Sequence, residues 1–100
     1  MNEFGIRDTD LQMILQVIDR FPVIESAVIF GSRAKGTFKK GSDVDIALFG
    51  KGIDFRTTVS VGSILNEEMP MPYFFDIVNY SSICNENFRN HIDHIGKKIH

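Results

Sequence analysis

The sequence predicts an α/β domain of the α+β kind, a small mixed β-sheet flanked by helices. Three observations carry that expectation. Two short apolar runs, Val28-Ile29-Phe30 and Ile46-Ala47-Leu48-Phe49, read as buried strand ends on either side of a glycine-rich, basic loop. A third run, Tyr73 to Tyr80, is rich in the aromatic and β-branched residues that suit a pleated, half-buried surface. The stretches around these runs space their apolar residues at helical intervals. One hundred residues with 43% hydrophobic content and nine Phe suffice for one core, so a single domain spanning residues 1–100 is expected.

Each element has its own signal. Asp8-Thr9-Asp10 supplies cap-type residues ahead of Leu11, Ile14, Leu15 and Ile18, which places a first helix over Asp8 to Arg20. Phe21-Pro22 ends it. Val23 to Phe30 reads as the first strand, interrupted at Glu25-Ser26, and Asp43 to Phe49 as the second, closed by Gly50-Lys51-Gly52. Their connection is too short for a helical crossover, so an antiparallel pair is expected. Phe55, Val59, Val61, Ile64 and Leu65 fall roughly on one face, giving a helix from Ile53 to Met69 in spite of Thr57-Thr58. Pro70 and Pro72 stop it ahead of the third strand, Tyr73 to Tyr80, with Met69 and Met71 as loop packing. A last helix begins at Ser81-Ser82-Ile83 and carries Phe88, Ile92 and Ile95, with Gly96 near its end.

Composition narrows the function. No apolar run approaches twenty residues, which excludes a membrane-spanning helix, and the first residues lack the pattern of a secretory signal. The single Cys84 has no internal disulfide partner and reads as a small packed residue. A soluble, cytoplasmic protein is expected. A net charge of −2 gives no general attraction to a nucleic-acid backbone, so direct nucleic-acid binding is not expected and the basic loop reads as a local site for a small polyanion. His91, His94 and His100 have no Cys or acid to complete a tetrahedral metal set and read as solvated histidines of the last helix.

The chemistry is concentrated between Gly31 and Asp45. Strand side chains alternate between faces, so Asp43 and Asp45 share one face and their charges lie within several ångströms of each other. Such a pair needs a cation or a shared proton, and an oxygen-only pair suits magnesium, which also takes phosphate oxygens as ligands. Asp-x-Asp alone is most often a solvated strand end. The loop beside it adds glycines at 31, 36 and 41 that can expose N–H groups to an anion, the Ser32 hydroxyl, and the charges of Arg33, Lys35, Lys39 and Lys40. Farther on, Asp76 sits among Phe75, Ile77 and Val78, where an acid is costly to bury without a partner.

This constellation resembles the nucleotidyltransferase superfamily of DNA polymerase beta type. Gly31-Ser32 stands where the family's Gly-Ser lies, Lys35 at a basic phosphate-contacting position, Gly36 at the loop glycine, and Ser42-Asp43-Val44-Asp45-Ile46 as the Ser-Asp-x-Asp-aliphatic box. The resemblance covers nearly the whole chain and is strongest for the minimal nucleotidyltransferases, including the antitoxins of HEPN/MNT toxin–antitoxin pairs. It implies a polymerase-beta-like core and two magnesium ions held by Asp43, Asp45 and a third acid, matched by Asp76. It also implies a nucleoside triphosphate bound through Gly31, Ser32, Lys35, Gly36 and Ser42. Ser32 is then a binder, since a Ser-His-Asp arrangement would need a histidine from the last helix.

The activity so implied is transfer of AMP from ATP to a hydroxyl, with a tyrosine of a HEPN-type RNase as the acceptor, within a homo- or hetero-oligomer. Two other readings stand beside it: a non-catalytic antitoxin that blocks its partner sterically, and a transferase acting on an aminoglycoside-like small molecule.

Overall fold

The computed structural model of the chain describes residues 2–100 and arranges them as a four-stranded sheet in the order β3-β2-β1-β4. Helix α1 is Asp8–Asp19, strand β1 Ser26–Phe30, helix α2 Gly31–Lys35, strand β2 Val44–Phe49, helix α3 Phe55–Ser63, strand β3 Phe75–Asn79, helix α4 Glu86–Ile95 and strand β4 Lys97–Lys98. β1 runs antiparallel to β2 and to β4, while β2 and β3 are parallel. The sheet is therefore mixed, as the sequence predicts.

Strand alternation sorts the side chains onto two faces. Ala27 and Ile29 of β1, Val44, Ile46 and Leu48 of β2 and Phe75 of β3 enter the larger core, with Ile14, Val17 and Ile18 of α1 and Val61 of α3. Phe30 and Ala47 enter a smaller cluster with Ile92 of α4, lined by Val28, Phe49, Val78 and Phe88. Asp45 and Asp76 fall between these residues in sequence and so belong to the smaller, α4 face.

Local polar contacts fix where the elements start. Asp8 and Asp10 occupy the first turn of α1, where the helix dipole favours negative charge, and the buried Asp10 carboxylate accepts from Arg7 Nε at 2.8 Å. Asp54 caps α3 by accepting from the Thr57 N–H and hydroxyl, both at 2.8 Å. Thr57, unfavourable inside a helix, is thus useful at its beginning. A π-helical turn, Ile64–Glu68, extends α3, and its Asn66 side chain accepts from the Phe75 N–H at 2.7 Å and donates to the Phe75 carbonyl at 2.9 Å. That clamp sets the start of β3 one residue before Asp76. Asn85 caps α4 by accepting from the Phe88 N–H at 2.9 Å.

Several boundaries differ from the sequence reading. Residues before Ser26 form a turn closed by the Ile24 N–H on the Phe21 carbonyl, so Val23 is exposed instead of lying in a strand. A 3₁₀ turn, Tyr80–Ser82, precedes α4, which starts at Glu86 and not at Ser81 because Asn85 is the better cap. β4 carries only Lys97 and Lys98, whose side chains show no alternation of apolar and polar residues, and it is held by backbone pairing to Val28 and Ile29. Cys84 is exposed, not packed. Met69 and Met71 do pack against the core. Among the described residues no helix is long and apolar enough to cross a membrane.

The segment joining β1 and β2 departs most from an open loop. Its first five residues form α2, ended by Gly36 in the left-handed conformation at φ 80°, whose N–H bonds to the Ser32 carbonyl. Arg33 points inward and is 3% exposed. Its guanidinium donates to the carbonyls of Phe4 at 2.9 Å, Gly5 at 3.2 Å and Ser42 at 2.8 Å and 3.1 Å. The rings of Phe38 and Tyr73 flank it, with centroids 5.3 Å and 5.1 Å away. Arg33 is thus a strut joining the N-terminal segment to the end of the loop, and its charge is not offered to a ligand. Arg33→Ala is expected to destabilise the chain by about 3 kcal/mol in denaturant unfolding, through buried carbonyls left without a donor. Arg33→Lys should recover little, since one ammonium cannot reproduce the planar fork.

Candidate active site

Parallel pairing places Asp45 directly beside Asp76, while the antiparallel neighbour of Asp45 is Phe30, the last residue before Gly31. Asp43 lies two residues upstream on the same strand path. The three acids and the start of α2 are thereby gathered at one end of the sheet on its α4 face. Asp43 and Asp76 are exposed and Asp45 is half-buried. Asp76 thus avoids the burial cost that its apolar neighbours in sequence suggested.

The carboxyl of Asp45 is pushed up from its ordinary value of 3.8 to about 6, first by burial and then by the negative charges of Asp76 and Asp43, with Arg33 pulling weakly the other way. Asp45 therefore carries the electrostatic cost of the group. A cation would relieve it, and hard carboxylate oxygens suit magnesium. Among the described residues no three ionisable side chains already converge as a metal-binding cluster. The fit is one of donor chemistry and shared charge.

Gly31 is the hinge of the site. Its φ of +72° lies in the left-handed region, and a Cβ built on it would strike the Asp45 carboxylate oxygen Oδ2. Glycine is required here so that backbone can pass over Asp45. The Gly31 N–H donates to His91 Nε2 at 3.2 Å, and the His91 ring stands edge-on to Phe30 with centroids 6.1 Å apart. His91 is thus a half-buried partner of the glycine instead of a solvated helix histidine. Phe88, His91, Ile92 and Ile95 follow the spacing of one helical stripe, which is the sequence signal that could have found it. His94 is exposed, its Nδ1 2.7 Å from the Asn90 carbonyl oxygen.

The other candidate residues take distinct places. Ser32 is half-buried in the first turn of α2, and Lys35 is exposed at its end. The Gly36 N–H is engaged in closing α2. Ser42 Oγ accepts from the Lys39 N–H at 2.8 Å and so shapes the turn that carries Lys39 and Lys40, both exposed.

A mixed sheet that presents alternating aspartates beside a Gly-Ser helix start defines the class of nucleotidyl-transferring domains. Residues 12–100 match the family model described as "Polymerase beta, Nucleotidyltransferase", and the chain belongs to that family. No curated protein sequence matches significantly. Among solved structures, the chain is similar to a toxin–antitoxin crystallised with AMP-PNP, at 21% identity and TM-score 0.71, covering 93% of this chain and 72% of that one. It is similar to a complex of tri-AMPylated Shewanella oneidensis HEPN toxin with MNT antitoxin, at 18% identity and TM-score 0.67, covering 90% and 68%. A toxin–antitoxin MntA–HepT structure matches at 18% identity and TM-score 0.68, covering 92% and 70%.

Two outcomes follow from this geometry. Because the folded chain holds the Asp45 proton more tightly than the unfolded chain, the stability it contributes is fully present below pH 3.8 and is lost as pH rises through about 6. In metal-free urea titrations, Asp45→Asn should therefore gain on the parent between about pH 4 and about pH 7. Parallel stability curves would refute the electrostatic account. Gly31→Ala should lose at least about 1 kcal/mol through left-handed strain and displacement of the Asp45 carboxylate. An Ala variant as stable as the parent would remove both causes.

Proposed function

We propose that the chain is a magnesium-dependent adenylyltransferase that moves AMP from ATP to a hydroxyl, the acceptor being a tyrosine of a HEPN-type RNase that it silences as a cytoplasmic antitoxin. The observation that carries this reading is the side-by-side placement of Asp45 and Asp76 at the strand ends next to Gly31. Support for the partner and the nucleotide comes from the similar structures, one with AMP-PNP and one with an AMPylated HEPN toxin beside an MNT antitoxin.

The residues divide the work. Asp43 and Asp45, joined by Asp76, would hold magnesium, which when bound supplies Lewis-acid stabilisation of the attacking and leaving oxygens. The Gly31 and Ser32 backbone N–H groups, the Ser32 hydroxyl and Lys35 are assigned to the triphosphate, with Gly36 and Ser42 shaping the backbone around it. Asp76, exposed at the rim, orients the acceptor hydroxyl and its carboxylate takes up the hydroxyl proton. The acceptor oxygen forms a bond to the α-phosphorus, the bond to the bridging oxygen of the β-phosphate breaks, and pyrophosphate leaves.

The test is intact-protein mass spectrometry of the partner after incubation with ATP, magnesium and this chain. One AMP or a multiple of it should be added to the partner, and Asp76→Asn should abolish the addition while the two proteins still associate. An unmodified partner that the Asp76→Asn variant silences fully would instead establish steric blocking. In the same assay Asp43→Ala should lose transfer and should also lose the thermal stabilisation that magnesium gives the parent. Equal stabilisation of both would remove Asp43 from the metal site.

A further inference from the structure

We infer that His91 is a positioning residue for the nucleotide: its Nε2 stands in for a phosphate oxygen on the Gly31 N–H, and the incoming triphosphate displaces it. The inference rests on the reading of Gly31 as part of the triphosphate site and adds the residue that occupies that donor beforehand.

Three features converge on His91. The Gly31 N–H points at His91 Nε2, 3.2 Å away, so an acceptor already fills the position that a phosphate oxygen would take. The ring stands edge-on to Phe30, the residue paired with Asp45, and is half-buried, so it faces the sheet and not open solvent. Its helix presents His91 to the sheet in the same stripe as the buried Ile92 and the partly buried Phe88 and Ile95. Accepting from Gly31 requires an unprotonated Nε2, so the ring is the neutral tautomer with hydrogen on Nδ1.

The physical consequence is a competition. Without ligand, a partly buried N–H is costly to leave unpaired, and His91 satisfies it. A phosphate oxygen carries more charge and makes the stronger bond to the same donor. Binding thus exchanges one acceptor for a better one, and the His91 bond is a fixed cost subtracted from nucleotide affinity.

Removing the acceptor should therefore tighten binding. His91→Ala is expected to bind AMP-PNP with magnesium about two- to tenfold more tightly than the parent, the worth of one neutral hydrogen bond. In the nucleotide-free protein its Gly31 amide should exchange with solvent faster than in the parent. His91→Gln, whose side-chain oxygen reaches the Nε2 position, should restore both values. A residue that merely packs α4 against the sheet would not be rescued by Gln in this way. Parent and Ala variant binding equally, or the Ala variant binding more weakly, would overturn the displacement. Unchanged Gly31 exchange in the Ala variant would overturn the capping bond itself. A parent that binds no AMP-PNP would sink the nucleotide reading and this inference together, whereas a parent that binds and an Ala variant that gains nothing sinks only the inference.

Discussion

The register of β2 against β3 is the constraint on which the site depends, because it sets Asp45 and Asp76 side by side in defiance of their charges. The apolar face enforces it. Val44, Ile46, Leu48 and Phe75 are essentially fully buried on the opposite side, each contributing roughly 1.5–3 kcal/mol. Repulsion between two carboxylates near the surface is on the order of a few kcal/mol. A slip by one residue would expose that whole apolar set, so the charges stay together. The Val44 N–H on the Phe74 carbonyl at 2.8 Å and the Asn66 clamp on Phe75 tie down the same end. The strained pair is thus a product of packing done elsewhere, and Asp45 answers by holding its proton up to about pH 6.

The cations near the site are divided by burial rather than by distance along the chain. Arg33 lies within a few residues of Lys35, Lys39 and Lys40, yet its guanidinium is spent on three backbone carbonyls while the lysines remain exposed. The chemistry of the side chains explains the division. A planar fork with delocalised charge tolerates burial between Phe38 and Tyr73, whereas an ammonium is held at the surface by its hydration. The inward cation also keeps the N-terminal segment against the turn that leads into Asp43, so it reaches the site by shaping backbone.

The parts of the fold legible in the sequence were those with a period. Alternation in Val44 to Phe49 gave both the strand and the face of Asp45, and the Asp8 to Asp19 stripe gave α1 almost to the residue. Polar capping decided the boundaries that were missed: Asn85 moved the start of α4, and Asp54 put Thr57 to use. β4 was invisible because two lysines reveal nothing about backbone pairing to β1. Arg33 and His91 were misread for one reason. Each has a residue type that usually meets solvent, and each is committed by partners far away in sequence, the Phe4 carbonyl and the Gly31 N–H.

Helix α4 joins the two halves of the site. On one side of the helix Asp93 accepts from the Tyr80 hydroxyl at 2.7 Å, and Arg89 stands over the Tyr80 ring at 5.2 Å, so the helix is referenced to the residue that follows β3. On the other side His91 meets Gly31, and Phe88 packs edge-on against Phe30 with centroids 5.5 Å apart. β3 carries Asp76, and Gly31 passes over Asp45. One short helix therefore contacts both the residue that follows the Asp76 strand and the glycine that passes over Asp45. The face of the sheet under α1 and α3 holds the larger core, while the α4 face carries the three acids. On that face Asp43 and Asp76 stay exposed while Ile92 and Phe88 of α4 pack on Phe30 and Ala47, so the acids are left at the open end of the sheet.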